Sequence, residues 1–116
     1  HTWRSVGGHG HADNQHESFM NSLLQKTTFN LYVCGHDHCK SIIELKDKNI
    51  HTLVIGTGGK SYSSDMFYPD KLNDNELLHF YSPNLGICHM KSTKKTLSLT
   101  CYNENLKLEY SYKIKK

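Results

Sequence analysis

The sequence predicts a single domain of mixed α/β fold, of the α+β type, with one helix near its start and strands through most of the rest. The chain has 116 residues, which is enough for one domain and too few for two. Apolar side chains at helical spacing follow Asn14, whereas short apolar runs separated by polar turns follow from residue 30 onward. Hydrophobic residues make up 36% of the chain, so we expect a modest core.

Asn14 is predicted to be the N-cap that precedes the helix, because Asn14 and Glu17 have the spacing of a capping box. Its predicted apolar face consists of Phe19, Met20, Leu23 and Leu24. We expect this face to pack against the core.

Strands are predicted from the runs NLYVC, SIIEL, IHTLVIG, ELLHFY, GICHMK, TLSLTCY and LKLEYSYKI. The last two alternate polar and apolar residues, which is typical of half-buried strands. The leucines expected to face the core are Leu97, Leu99, Leu106 and Leu108. Residues 77–114 are expected to form consecutive antiparallel strands in one sheet, after a long polar loop over residues 57–76.

Composition argues against several classes of protein. The net charge is +3, and the lysines are spread along the chain, so a nucleic-acid-binding patch is not predicted. No apolar run is long enough to span a bilayer. The four cysteines do not form two Cys-x-x-Cys pairs, which argues against a zinc ribbon. Most of them fall in apolar strand patterns, so buried free thiols are favoured over a disulfide framework.

Two glycine-containing segments carry the histidines most suited to chemistry. Gly35-His36-Asp37-His38 follows a predicted strand directly, and His9 lies in the segment SVGGHG. Imidazoles one residue apart can reach a single ion, or can splay towards two neighbouring ions just past a strand end. Asp37 is suited to orienting one of the rings. The alternative is that both histidines are ordinary polar residues on a turn.

The other histidines in strand patterns, His51, His79 and His89, are predicted to be packing or surface residues. The segment IGTGGKS at residues 55–61 lacks the glycine spacing of a phosphate-binding P-loop, so nucleotide binding is not predicted there.

SVGGHG, followed some twenty-five residues later by YVCGHDH, resembles the C-terminal half of calcineurin-like metallophosphoesterases. The purple, or tartrate-resistant, acid phosphatases are the most similar members. The order of helix, strand, Gly-His-Asp-His, strands and terminal antiparallel strands also agrees over essentially the whole chain. The resemblance implies a metallophosphoesterase β-sandwich flanked by helices. Residues 1–116 would form the C-terminal portion of a single catalytic domain whose N-terminal half is absent.

The resemblance also implies a function: a metal-dependent phosphomonoester hydrolase, similar to acid phosphatases, in which a metal-bound hydroxide attacks phosphorus. The implied cofactors are two metal ions, iron paired with iron, zinc or manganese. By the same resemblance, His36 and His38 ligate different ions. His9 would be the catalytic residue that contacts the phosphate and helps to protonate the leaving group.

Three departures from the family pattern qualify this reading. Thr2 occupies the usual proline position, and the usual histidine ligand would fall immediately before His1. His1 can replace that ligand only with a one-residue shift. The N-terminal family motifs Gly-Asp-x-Gly, Gly-Asp-x-x-Tyr and Gly-Asn-His are absent from the chain, so the chain alone is expected to be inactive.

Two alternative functions remain open at this point. One is a catalytically inactive phosphatase-like scaffold or interaction protein. The other is an unrelated metal-dependent hydrolase such as an amidohydrolase, whose barrel needs about 250 residues.

For the phosphatase, the expected partners are a phosphomonoester substrate and the N-terminal half of the same domain, with no nucleic acid and no membrane-spanning segment. The resemblance suggests a secreted or lysosomal (vesicular) location.

Overall fold

The structure is a computed structural model that describes residues 1–61 and 66–116. One α-helix, α1, spans Asn14–Leu24, and a short 3-10 turn spans Pro69–Lys71. The strands are β1 (Leu31–Cys34), β2 (Lys40–Leu45), β3 (Ile50–Ile55), β4 (Glu76–Ser82), β5 (Gly86–Ser92), β6 (Thr96–Asn103) and β7 (Leu108–Lys115). Each predicted strand is present. Part of the predicted long loop, residues 62–65, lies outside the described residues.

The strands form two sheets. The first has the order β1-β3-β2-β4, in which β1 and β3 are parallel and the other neighbours are antiparallel. The second is antiparallel and has the order β5-β6-β7. The prediction that residues 77–114 form one sheet is therefore wrong for β4, which pairs with β2. Side-chain alternation indicates a strand, but it does not indicate which neighbour the strand pairs with.

The main core lies between the two sheets. Ile42 and Leu53 come from the first sheet, and Leu97, Leu99 and Ile114 come from the second. Since two sheets face each other over a shared apolar core, and α1 lies on the outer side of the first sheet, the predicted α/β fold with a flanked β-sandwich is confirmed.

A second apolar cluster covers the outer face of the first sheet. Trp3 from the N-terminal segment and Met20 from α1 pack with Leu45 and Ile50 from the sheet. Strands β2 and β3 are consequently covered on both faces, which explains their nearly continuous burial. Phe19, which was predicted to belong to the packed face of the helix, is 61% exposed.

The helix begins one residue earlier than the predicted cap requires. Asp13 is the N-cap, and its side chain accepts a hydrogen bond of 2.8 Å from the backbone N–H of His16. Asn14 is the first helical residue. Glu17 therefore does not complete a capping box with Asn14 and instead binds side chains of the N-terminal segment.

Within the described residues, no helix has the length and apolar character needed to cross a membrane.

A β-bulge and the turn before it explain why two of the four leucines predicted to be buried, Leu108 and Leu106, are exposed. Cys101 faces Tyr110 and Tyr102 faces Leu108, so Glu109 is an extra residue in β7. The extra residue turns Leu108 to the opposite face from Tyr110. Leu106 lies in the preceding turn, with φ 57°. Leu97 and Leu99 are buried as predicted.

The cysteines divide into two kinds. Cys88 and Cys101 face each other across β5 and β6 and form a disulfide. The prediction of free thiols is therefore wrong for this pair, because strand pairing places them together in a way that sequence spacing did not show. Cys34 and Cys39 are free. Burial raises the pKa of the Cys39 thiol to about 12, so this cysteine stays protonated and unreactive.

Substitution of Leu99 tests the core between the sheets. Leu99 is fully buried, so Leu99→Ala should lower the free energy of unfolding by about 2–5 kcal/mol through lost burial and a residual cavity. Leu106→Ala is the matched control, because Leu106 is 73% exposed and its loss should cost less than about 0.5 kcal/mol. Denaturant titration measures both values, and similar costs would show that the core is assigned wrongly.

Candidate functional site

The two predicted loops meet at an exposed row of histidines. The ring of His36 lies between those of His1 and His9, with ring centroids separated by 4.2 and 4.1 Å, respectively. All three residues are exposed. The structure therefore brings together two of the predicted site residues, His9 and His36, with His1 at the end of the row. His38 is partly buried and lies two residues before the start of β2.

The backbone at His36 adopts an uncommon conformation. Its φ is +69°, in the left-handed region that non-glycine residues rarely adopt. A turn closes around it, since the N–H of Asp37 donates to the carbonyl of Gly35 at 2.9 Å. Such a conformation costs about 1–3 kcal/mol and is retained where the surrounding structure imposes it. Here it turns the imidazole out of the strand end towards His9.

Asp37 joins the two loops. Its side chain is fully buried, and its carboxylate accepts hydrogen bonds from the hydroxyl of Ser5 at 2.5 Å and from the backbone N–H of His9 at 3.3 Å. A Cβ atom at Gly7 would lie 2.6 Å from this carboxylate. A Cβ atom at Gly56 would collide with the Asp37 carbonyl oxygen. Asp37 thus orients the backbone of His9 and needs glycine at both of these positions.

A network of ion pairs fixes the N-terminal segment that carries His9. Arg4 donates to Glu17 of α1 and to Glu76 at the start of β4, each at 2.5 Å. Nε2 of His11 lies 2.9 Å from the second carboxylate oxygen of Glu76. Trp3 donates its indole N–H to Glu17 at 2.9 Å. The N-terminal segment is therefore held both to α1 and to the first sheet.

Glu76 carries a strongly perturbed pKa. Burial alone would raise it, but hydrogen bonds from His11 and from the backbone and side chain of Asn73 lower the pKa of Glu76 to about 2. Because the ionised form is favoured in the folded protein, this group stabilises the fold at neutral pH.

A cavity of about 380 Å³ opens beside the histidine row. It is lined by His1, Asp13, Gln15, His16 and Phe19. This surface was not predicted from the sequence, since the helical spacing of Phe19 predicted core packing. Ser18 and Asn21 are the polar residues on either side of the Phe19-Met20 pair. They give no signal that separates an exposed apolar side chain from a buried one.

The donors present fit only part of a dinuclear metal centre. His36 and His38 offer two neutral imidazoles, while the carboxylate of Asp37 is engaged by Ser5 and His9. Two cations held close together need anionic ligands to offset their repulsion. In residues 1–61 and 66–116, the group of three ligand atoms close enough to hold an ion lies elsewhere, at Glu44, His51 and His79.

Sequence comparison identifies relatives of this chain. It is 30% identical over 103 residues to purple acid phosphatase 17 of Arabidopsis thaliana and 31% identical over 104 residues to purple acid phosphatase 3 of the same plant. Both matches cover 89% of this chain, but only 30% and 27% of the relatives. The chain thus spans under a third of their length. No protein-family model matches the chain.

Structural comparison supports the fold that the sequence predicted. A solved structure described as GAP50, the anchor in the inner membrane complex of Plasmodium, superposes with a TM-score of 0.79. The superposition covers 98% of this chain and 34% of the other, at 20% sequence identity, so it bears on the fold alone. The flanked sandwich with a Gly-His-Asp-His loop at a strand end is the arrangement expected of a calcineurin-like metallophosphoesterase. Within that class, the predicted resemblance to the purple acid phosphatases is confirmed by the sequence relatives.

Substitution by glycine tests the strained backbone at His36. Since φ is positive there, His36→Gly should be about 1 kcal/mol more stable than His36→Ala in chelator-treated protein. His38 is the control, because it is not among the positive-φ residues and glycine there adds only unfolded-state entropy. The order should reverse at that position, with His38→Ala the more stable. Denaturant titration gives the free energy of unfolding of the four variants. Equal stability of His36→Gly and His36→Ala would show that the backbone at residue 36 is not strained.

The pH dependence of stability tests Glu76. Its pKa is lowered in the folded state from 4.5 to about 2, so the stabilisation is complete above pH 4.5 and is lost as the pH falls towards 2. The advantage of the wild type over Glu76→Gln, measured as the free energy of unfolding, should shrink over that interval. Asp74→Asn, at an exposed position in the preceding loop, is the control and should give a nearly constant difference. A stability difference between the wild type and Glu76→Gln that did not change with pH would contradict the lowered pKa of Glu76.

Proposed function

We propose that this chain is part of a metal-dependent phosphomonoester hydrolase of the acid phosphatase type. In this proposal, residues 1–116 are the C-terminal portion of a single catalytic domain, and further ligands come from sequence outside the chain. His36 and His38 supply two imidazoles to a dinuclear metal centre. The observation that carries the proposal is the exposed contact between His9 and His36, on two loops that the buried Asp37 holds together.

Each histidine has a distinct role in this proposal. Bound metal ions would polarise the phosphoryl oxygens and supply a nucleophilic water. His9 is exposed, lies against the ring of His36 and has its backbone held by Asp37, so its imidazole can hold a proton at the leaving-group oxygen. The cavity lined by His1, His16 and Phe19 adjoins the row and is suited to the organic part of a phosphomonoester.

The disulfide supports a location outside reducing compartments. Structural disulfides such as Cys88–Cys101 form and persist mainly in secreted proteins or in the lumen of the secretory pathway. We therefore propose a secreted or lysosomal (vesicular) location, in line with an acid phosphatase.

A second candidate function is a phosphatase-like scaffold without activity. It is favoured by the absence, among the described residues, of a three-ligand group around His36 and His38. The structural neighbour is itself described as an anchor, although the likeness bears on the fold alone. In this alternative the exposed histidine row forms part of a contact surface.

Metal content and activity separate these functions. The chain alone should not hydrolyse p-nitrophenyl phosphate, because none of its described residues completes an anionic ligand set at His36 and His38. A longer protein that carries this chain and the missing ligands should bind two metal ions and hydrolyse the substrate. In that protein, His36→Ala and His38→Ala should each remove one metal ion, whereas His9→Ala should keep both and lower kcat by about 100-fold.

His89→Ala is the matched control, since His89 is an exposed strand histidine outside the row. It should change neither metal content nor kcat. Turnover with two metals by the chain alone would contradict the need for outside ligands. A metal-free, inactive longer protein would favour the scaffold, and loss of metal in His9→Ala would overturn the proposed role of His9.

A further inference from the structure

We propose a structural zinc site formed by Glu44, His51 and His79, with the hydroxyl of Tyr112 at the fourth position. This cluster is separate from the His9, His36 and His38 site and does not depend on the proposed phosphatase function. Its ligand atoms, one from each of Glu44, His51 and His79, all lie within 4.8 Å of one another. Two imidazoles and one carboxylate form a donor set typical of zinc.

The register of the first sheet explains how the three ligands meet. Glu44 in β2 and His51 in β3 are direct cross-strand partners. Ile42 faces Phe80 and Ile43 faces Leu78, so His79 is the extra residue of a β-bulge in β4. A bulge changes the direction of the side chain at the extra residue, and here it allows His79 to reach Glu44 across the strand pair.

Four of the six ligand–ligand distances in the cluster lie within about 0.7 Å of the edge of a zinc tetrahedron. Oε2 of Glu44 lies 2.7 Å from Nε2 of His79 and 4.0 Å from Nε2 of His51. The Tyr112 hydroxyl lies 2.9 Å from Nε2 of His79 and 3.1 Å from Nε2 of His51. With ligands about 2.0–2.1 Å from the ion, tetrahedral edges are about 3.3 Å, and the four distances fall on either side of that value.

The location of the cluster favours a structural role. His51 is 4% exposed, and the side chains of His79 and Glu44 are 18% and 25% exposed. Tyr112 belongs to β7, so an ion here would join three strands of the first sheet to the second sheet. Glu44 provides one negative charge, so an ion at this position has partial charge compensation, which the His36 and His38 pair lacks.

Zinc titration of the full chain tests this site. The chain is first stripped with a chelator and carries His36→Ala and His38→Ala, so that uptake at the phosphatase motif does not contribute. It should bind one Zn²⁺ by calorimetry, and Co²⁺ in its place should give the intense visible absorption of a four-coordinate site. Zinc should also raise Tm, since the ion binds only the folded arrangement.

Two ligand variants in the same background, Glu44→Gln and His79→Ala, should weaken zinc binding by at least about tenfold and abolish the rise in Tm. Glu44→Gln preserves the shape of the side chain, so its result stands even if His79→Ala unfolds. His89→Ala is the control and should bind zinc normally. Absence of zinc binding, or unchanged affinity in Glu44→Gln, would show that the cluster is only a hydrogen-bonded network and would overturn the proposal.

Discussion

The buried carboxylate of Asp37 is the constraint on which the histidine row depends. A carboxylate removed from water must be matched by donors, and Ser5 and the N–H of His9 provide them. Those donors belong to the N-terminal segment, so satisfying one buried acid fixes the distance between two loops. Glycine at residues 7 and 56 is a consequence of the same requirement, because a side chain there would occupy the space of Asp37. The strained backbone of His36 is then imposed by its neighbour.

Two β-bulges also shape the structure, because each directs the side chain of a polar residue towards a residue of another strand. The bulge in β7 places Glu109 against Lys40, whose fully buried ammonium group lies 2.6 Å from the Glu109 carboxylate. Burial alone would raise the pKa of Glu109, but hydrogen bonds from Lys40, Asn84 and Ser82 lower it. The bulge in β4 similarly directs His79 to Glu44. Both bulges join polar groups that an ideal strand would have kept apart.

Local pattern predicted the elements, while long-range contacts decided how the strands pair and which side chains meet. The strands and the helix could be predicted, because alternation and helical spacing are properties of neighbouring residues. The pairing of β4 with β2, the bulge that exposes Leu108 and the Cys88–Cys101 disulfide could not, since each depends on which distant strands meet. His9 and His36 were singled out by their glycine-rich settings and do meet. His51 and His79 were predicted to be packing or surface residues because they lie in strand patterns, and their separation in sequence gave no sign that they meet.

The two histidine clusters differ in access, and this difference is in line with the two different roles proposed for them. The rings of His1, His9 and His36 are exposed beside an open cavity, so a substrate can reach them, but their charge compensation must come from elsewhere. Glu44, His51 and His79 lie against the facing sheet, where the Tyr112 hydroxyl is 3.1 Å from Nε2 of His51. Catalytic metal sites keep a position open for water or substrate, whereas structural sites are closed by protein ligands. The exposed row is thus suited to turnover, and the enclosed cluster is suited to holding the sheets together.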